Sequence, residues 1–467
     1  MTAGITFLGA ARNVTGARFL VEHNGRKVLV DCGLFQEREF RDRNWKPLPV
    51  PIEELDAVIL THAHVDHCGL LPKLAKDGFS GPVWCTPATA DIAQIVLADT
   101  GKIQEEDAFR KETRHRDEGR KGPFPEGPLY TAADAERVTA LLHVAGYHSS
   151  VVVAPGIEVK FRDAGHILGS ASVEMNLDGK GKTRRIVFSG DLGRPGSPIL
   201  CDPEPVGETD YVVIESTYGD RLHRPVESIQ TRLAEVVNGT CPKGGCVVVP
   251  SFAVERAQEL LYRLHQLVDE QRIPRVPVFL DSPMAARVTE VFRRHPELFD
   301  DETRSLLVRG EHPCDLPGMR VCRTAEESAN AARAKGAIVI AGSGMCTGGR
   351  IKHHIANHIG RETSTILFIG YQAAGTLGRQ ILEGDREVRI YGELHTVKAR
   401  IEKINGFSAH ADQQELLGWL KTVKGSPRKV IVTHGEPESS KTFAALAGSQ
   451  FAWRTAVPAY GERMEIE

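Results

Sequence analysis

Within "LTHAHVDHCG", residues 60 to 69, stand His62, His64, Asp66 and His67, three imidazoles and a carboxylate in six positions. They follow the apolar run "AVIL", so a strand delivers them into a half-buried turn. Unpartnered polar groups there would destabilise the fold, and a divalent cation is the partner they suit. On an extended segment His62 and His64 point to one side. Asp66 and His67 come after a turn and can serve a second ion. A dinuclear centre needs about seven or eight ligand positions. The chain offers more at other strand ends: His166 in "DAGHILGSAS", Asp191 in "FSGDLG" and His434 in "IVTHGE". Each alone has an ordinary structural explanation; their joint occurrence favours metal. The His/Asp set suits zinc, with manganese or iron also compatible.

The elements that must position these groups form two textures. Up to about residue 206 the chain is rich in strands. "ARFLVEHNGRKVLVDCG" alternates around Asn24-Gly25, a hairpin signal, and helices begin near Ala88 and Ala132. From 207 to 394 apolar strands lead into small or hydroxyl-bearing turns and mostly on into helices, as in "CVVVPSFAVERAQELL" and "AIVIAGSGMCTGGRIKHHI". Such alternation indicates a parallel sheet covered on both faces. Beyond 395 strands return, so residues 207–394 are expected to be a domain inserted into one built from 1–206 and 395–467. The mixed-charge run "RKETRHRDEGRKG" (110–122) is expected to be a solvated helix end rather than a substrate rail.

Bulk properties limit the function classes. Lys plus Arg number 58 against 61 Asp plus Glu, so no global basic field exists and a nucleic acid would have to be held locally. Nine scattered cysteines lack paired spacings and predict free thiols. The N-terminus has no signal-peptide pattern and no run is long enough to span a membrane. A cytoplasmic protein is expected, and nothing argues for or against a homodimer.

The ordered set Asp31, His62, His64, Asp66, His67, His166, Asp191 and His434 resembles the metallo-β-lactamase superfamily. That resemblance implies an αβ/βα sandwich with two metals, commonly zinc, at one edge. His62, His64 and His166 would hold one metal and Asp66, His67 and His434 the other. Asp191 would bridge them, and Asp31 would hold the loop from behind. The long interval between Asp191 and His434 narrows the match. "IESTYGDR" with Glu215, "GFSAHADQQEL" with His410 and "VTHGE" with His434 resemble the three additional motifs of the β-CASP nucleases. "PSFAVERAQEL", "LDSPMA", "GSGMCTGGR" and "GYQAAGTLGR" resemble stretches of their inserted domain. Histidine at 434, where the DNA-processing members generally have valine, implies RNA. The closest pattern is the endonuclease subunit of pre-mRNA cleavage and polyadenylation and its relatives. Met1 lies just before the first strand, which implies a compact member without N-terminal RNA-binding domains.

The resemblance implies hydrolysis of RNA phosphodiester bonds, endonucleolytic and on single strands. Two zinc ions would activate a water beside Asp66 and Asp191. His410 would be the general acid, oriented by Glu215. A DNA nuclease of the same architecture and a catalytically silent RNA-binding subunit are the alternatives; the second usually lacks metal ligands, and none is missing here. In the insert, Ser251, Ser282, Ser343, Gly344, Gly348, Gly349 and Thr376 lie at strand-to-helix turns, where backbone N–H groups favour phosphate. Together with Arg350 and Arg379 they are the expected contacts to the RNA backbone.

Overall fold

The computed structural model describes residues 3–467 except 120, 122–124, 126, 180, 181, 224–228 and 374. The described chain divides into two compact units, Met1–Leu222 with Ala409–Glu467, and His223–Ser408.

The first unit is built on two seven-stranded sheets. One runs in the order Arg463–Ile466, Ala3–Phe7, Phe19–His23, Arg26–Val30, Ala57–Ile59, Val83–Cys85, Leu142–Val144. Asn24 and Gly25, both at positive φ (49° and 79°), make the tight turn of its hairpin. The other sheet runs Thr455–Ala456, Lys429–Val432, Tyr211–Ile214, Lys182–Phe188, Ala171–Gly179, Ile157–Asp163, Ser150–Ala154. Alternate apolar residues of both sheets, among them Ile5, Phe7, Val28, Ile59, Val159, Phe161, Val173 and Phe188, meet in a continuous core between them. A second core lies on the far face of the second sheet, where Leu416, Leu420, Phe443 and Ala447 come from the helices Gln413–Leu420 and Pro437–Phe451. The layers are those of the expected αβ/βα sandwich.

The helix Pro87–Asp117 begins at an N-cap, Thr86, which accepts a bond from the Thr89 N–H. Its last turns, carrying most of the mixed-charge run, are largely exposed, as expected of a solvated end; residues 120 and 122 of that run lie outside the described ones.

The second unit holds a six-stranded parallel sheet in the order Met319–Val321, Val278–Asp281, Ala337–Ala341, Cys246–Pro250, Thr365–Phe368, Arg400–Lys403. Its four central strands are apolar because helices such as Ala325–Arg333 and Ile351–His358 cover it.

The division falls after Leu222 and Ser408, later than the expected 206 and 394. Strand pairing is the reason. Tyr211–Ile214 sits between Lys182–Phe188 and Lys429–Val432, so it belongs to the first unit despite its fully apolar pattern. Arg400–Lys403 instead extends the parallel sheet beside Thr365–Phe368. No helix among the described residues is long and apolar enough to cross a membrane, and all nine cysteines are free thiols.

Candidate active site

Four loops at strand ends of the first unit carry the candidate ligands. The strand Ala57–Ile59 ends in Leu60 and Thr61, and His64 then caps the one-turn helix Val65–Cys68. That turn lies so close to the segment after the hairpin that a Cβ on Gly33 would stand 1.6 Å from the Asp66 carbonyl oxygen. Only glycine fits there. His166 follows Ile157–Asp163, and Ser170 Oγ accepts from the N–H groups of His166 and Ile167 (3.0 and 3.2 Å). Asp191 follows Lys182–Phe188; a Cβ on the nearby Gly193 would lie 1.8 Å from the Gly165 carbonyl oxygen, so these two loops also need bare backbone between them. His434 follows Lys429–Val432. Asp31 and His434 have left-handed φ values of 59° and 48°, a conformation costing a non-glycine residue roughly 1–2 kcal/mol. Their strain is held by the surrounding bonds, including the His434 N–H to the Ala10 carbonyl at 2.7 Å.

The ligand atoms form two sets. In one, His62 Nε2 and His166 Nε2 lie 3.1 and 3.2 Å from His64 Nδ1, and 3.4 and 3.6 Å from Asp191 Oδ2. In the other, His67 Nε2 lies 3.1 Å from His434 Nε2 and 3.3 Å from Asp191 Oδ1, with Asp66 Oδ2 3.6 Å from His434 Nε2. A tetrahedral ion with bonds of about 2.0–2.1 Å places neighbouring ligands about 3.3–3.4 Å apart. Both sets therefore have the spacing of one coordination sphere. Asp191 is 1% exposed, and neither of its carboxylate oxygens has a hydrogen-bond partner among the described residues. A buried carboxylate with no hydrogen-bond donor on either oxygen fits a bridge between two cations.

The electrostatics agree. Burial disfavours the charged imidazolium and pushes His62 down to about 3 and His64 down to about 4, with His166 also well below its ordinary value. Their lone pairs are thus available at neutral pH. Burial also opposes charge on His67 and His434, but carboxylates outweigh it: Asp191 and Asp31 raise His67 well above its usual range, and Asp191 and Asp66 raise His434. Burial likewise works against ionised Asp66 and Asp191, yet the facing histidines hold both below the usual carboxylate range. In this half of the site histidines and carboxylates favour each other's charged forms.

Behind the ligands stands a hub around Asp31. Its Oδ2 lies 2.8 Å from His67 Nδ1, which leaves Nε2 to face the site. The Thr61 N–H donates to Oδ1 at 2.8 Å, and the Thr61 hydroxyl donates to the same carboxylate while standing 3.1 Å from His62 Nδ1. These contacts orient both rings. Thr61 and Thr217, whose hydroxyl is 3.2 Å from His434 Nδ1, were not singled out from sequence. The only signal for either was its place next to, or two residues from, a singled-out residue. Cys68 has a structural role: its thiol is buried, donates to the Ala63 carbonyl, and is pushed well above its ordinary pKa by burial.

His410 and Glu215 meet as expected. His410 Nδ1 is 3.2 Å from both Glu215 carboxylate oxygens, and the Leu192 N–H donates to Glu215 Oε1 at 2.7 Å. The His410 ring packs 4.5 Å from that of His166, and its Nδ1 is 3.9 Å from Asp191 Oδ2. Its side chain keeps 20% exposure, while that of Glu215 has none. The pair therefore borders the ligand set, with a Glu215 carboxylate oxygen within 4.8 Å of ligand atoms of Asp191 and His434.

In the second unit, the expected phosphate contacts gather at the C-terminal edge of the parallel sheet, but most of their side chains already have structural partners. Ser282 and Thr376 cap helices through the N–H groups of Ala285 and Arg379. Ser251 donates to the Phe252 carbonyl, and Ser343 accepts from the N–H groups of Thr347 and Gly348. Gly349, at φ 71°, turns against the Gly342 carbonyl, and Gly344 lies against the Phe252 ring. Gly348 has no neighbour where a Cβ would stand. Arg379 pairs with Glu383 on an exposed helix face. Arg350 departs from expectation: it binds Asp281 Oδ1 at 2.6 Å and the carbonyls of Cys322 and Arg323, so its guanidinium braces buried Asp281 instead of standing ready for phosphate.

Comparison with known proteins agrees with this architecture. Residues 16–153 match the metallo-beta-lactamase superfamily, 257–381 the Beta-Casp domain, and 395–458 the "Zn-dependent metallo-hydrolase RNA specificity domain". The chain is 41% identical over 431 residues to "Ribonuclease TTHA0252" of Thermus thermophilus, covering 92% of each chain. It is 33% identical to "Transcription termination factor FttA" of Methanocaldococcus jannaschii, covering 97% of this chain and 70% of that one. A protein of unknown function from Enterococcus faecalis shares the fold over 100% of both chains, with a TM-score of 0.54 at 13% identity. The chain belongs to the β-CASP family of the metallo-β-lactamase superfamily.

Proposed function

We propose that this chain is a metal-dependent ribonuclease that hydrolyses RNA phosphodiester bonds with two zinc ions, cutting single strands internally. The observation that carries the reading is Asp191, a buried carboxylate whose two oxygens each face one histidine-rich set, with the His410–Glu215 pair alongside. His62, His64 and His166 with Asp191 Oδ2 would hold one ion, and Asp66, His67 and His434 with Asp191 Oδ1 the other. Ions bound there neutralise phosphoryl oxygens and lower the pKa of the attacking water.

The chain's own residues supply the rest. Departure of an alkoxide needs a proton, and a positioned general acid contributes roughly 10² to 10⁴ in rate. Glu215 holds His410 at Nδ1, so Nε2 is the atom that delivers the proton. Asp31 and Thr61 keep His67 and His62 in the tautomers that present Nε2. RNA as substrate is supported by the match to an RNA specificity domain, whose span includes both His410 and His434, and by the ribonuclease relative. Backbone N–H groups at the sheet edge near Ser251, Ser282, Ser343, Gly344, Gly348, Gly349 and Thr376, together with Arg379, are the proposed phosphate contacts.

The test is a time course on 5′- and 3′-labelled single-stranded RNA beside the matching DNA, with protein loaded with zinc, with manganese, or stripped by chelator. Internal RNA fragments appearing first and only with metal, most strongly with zinc, are expected. Nucleotide-by-nucleotide release would overturn the endonuclease reading, equal cleavage of DNA the RNA preference, and manganese-only activity the zinc assignment.

A further inference from the structure

Among the described residues, five aromatic rings are conspicuously exposed: Phe109, Phe252, Tyr371, Tyr391 and Tyr460. Two already carry a cation on the ring, Lys352 over Tyr391 at 5.1 Å and Arg43 over Tyr460 at 3.9 Å. Phe109 stands on the exposed surface of the long helix Pro87–Asp117. Phe252 and Tyr371 differ from all three. They follow the adjacent parallel strands Cys246–Pro250 and Thr365–Phe368, at the same edge of one sheet.

Their setting is built. A Cβ on Gly344 would meet the Phe252 ring at 2.6 Å, and one on Gly370, next to Tyr371, would meet it at 3.3 Å. The Phe252 ring thus rests on two bare backbone segments, yet remains 39% exposed, and Tyr371 is 61% exposed. Gln372, 2% exposed, ties the two turns together by donating to the carbonyls of Gly344 (2.8 Å) and Gly370 (3.3 Å). The Phe252 face fixed in this way is pre-organised for a flat partner, because little ordering remains to be done on binding. At this edge Arg350 is committed to Asp281, whereas Arg379 makes only an exposed pair with Glu383.

We propose that Phe252 and Tyr371 are a platform on which bases of single-stranded RNA stack. The inference rests on the ribonuclease reading and adds how its substrate is gripped: by ring faces beside the phosphate contacts. Stacking is indifferent to base identity because every base has a π-face, so the platform gives position without sequence specificity, apart from a mild preference for larger bases.

The test uses the full, metal-loaded chain with Phe252→Leu, Tyr371→Leu and Tyr371→Phe, on single-stranded RNA that is intact or carries one abasic ribose walked along it. Each leucine variant is expected to raise KM about tenfold, with kcat and the salt dependence of kcat/KM retained. Tyr371→Phe keeps wild-type KM. An abasic ribose at the stacked position penalises the wild type about as much and the matching leucine variant hardly at all, because the same contact is already gone. Wild-type KM in both leucine variants, or abasic and leucine losses that simply multiply, overturns the platform. Thermal melts check folding; if Phe252→Leu is destabilised, the highly exposed Tyr371→Leu carries the test. A wild type that does not cleave RNA overturns the ribonuclease reading and this inference with it, whereas a wild type that cleaves beside indifferent variants overturns only the platform.

Discussion

The strand-end loops of the first unit and the strand-end turns of the second both collect polar residues, yet they treat them in opposite ways. Around Asp191, seven titratable side chains converge, and the two central oxygens have no hydrogen-bond partner among the described residues. Around Asp281 the convergence is as tight, but Arg350, His354 and Ser328 satisfy both oxygens. Both aspartates are buried and both are held below the usual carboxylate range, Asp281 because bonds from His354, Ser328 and Arg350 outweigh its burial. What separates them is hydrogen-bond satisfaction. An unsatisfied buried cluster suits a ligand, and a satisfied one suits architecture.

Substitutions can break or sharpen this contrast. The largest effect is expected for Asp191→Ala, which removes the bridge of both sets: RNA cleavage should fall by about 10³-fold or more, and bound metal measured by elemental analysis should drop. Full activity with undiminished metal would show that Asp191 is a structural aspartate like Asp281. His410→Ala should lower cleavage by roughly 10²- to 10⁴-fold while metal content stays at the wild-type value. Loss of metal would move His410 into the ligand set. Asp31→Asn, which disturbs the partner of His67 Nδ1, should weaken metal affinity by about 10- to 100-fold in a chelator competition. Arg350→Ala should do the reverse of these, destabilising the chain by about 1–3 kcal/mol in denaturant unfolding through loss of a partner for Asp281, with metal content unaltered. An Arg350→Ala protein of wild-type stability and a shallower salt dependence of RNA binding would return Arg350 to the phosphate contacts.

Much of the first unit was legible because its chemistry is dense in sequence. "HAHVDH" leaves little to explain its histidines except metal, and alternation around Asn24-Gly25 shows a hairpin without further context. His166, Asp191 and His434 became legible as a set, through resemblance, since each alone at a strand end has an ordinary explanation. The domain boundaries were less accessible. "YVVI" (211–214) and "RIEK" (400–403) carry no mark of which sheet they join; that depends on partners far along the chain. Thr61 and Thr217 were hidden for the same reason, since a threonine hydroxyl declares a role only once its acceptor is in place.

By itself the sequence determined residue chemistry and local periodicity: which side chains can hold a cation, where strands and turns fall, and that an apolar parallel sheet lies in the middle of the chain. Those follow from short-range sterics and from the period of burial. Only the tertiary structure decided pairing: that Asp191 turns one oxygen to each histidine set, that Glu215 meets His410 across 195 positions, and that Arg350 binds Asp281 rather than standing free. Such contacts are settled by the packing of whole sheets, which brings together residues whose spacing along the chain carries no information about their distance in space.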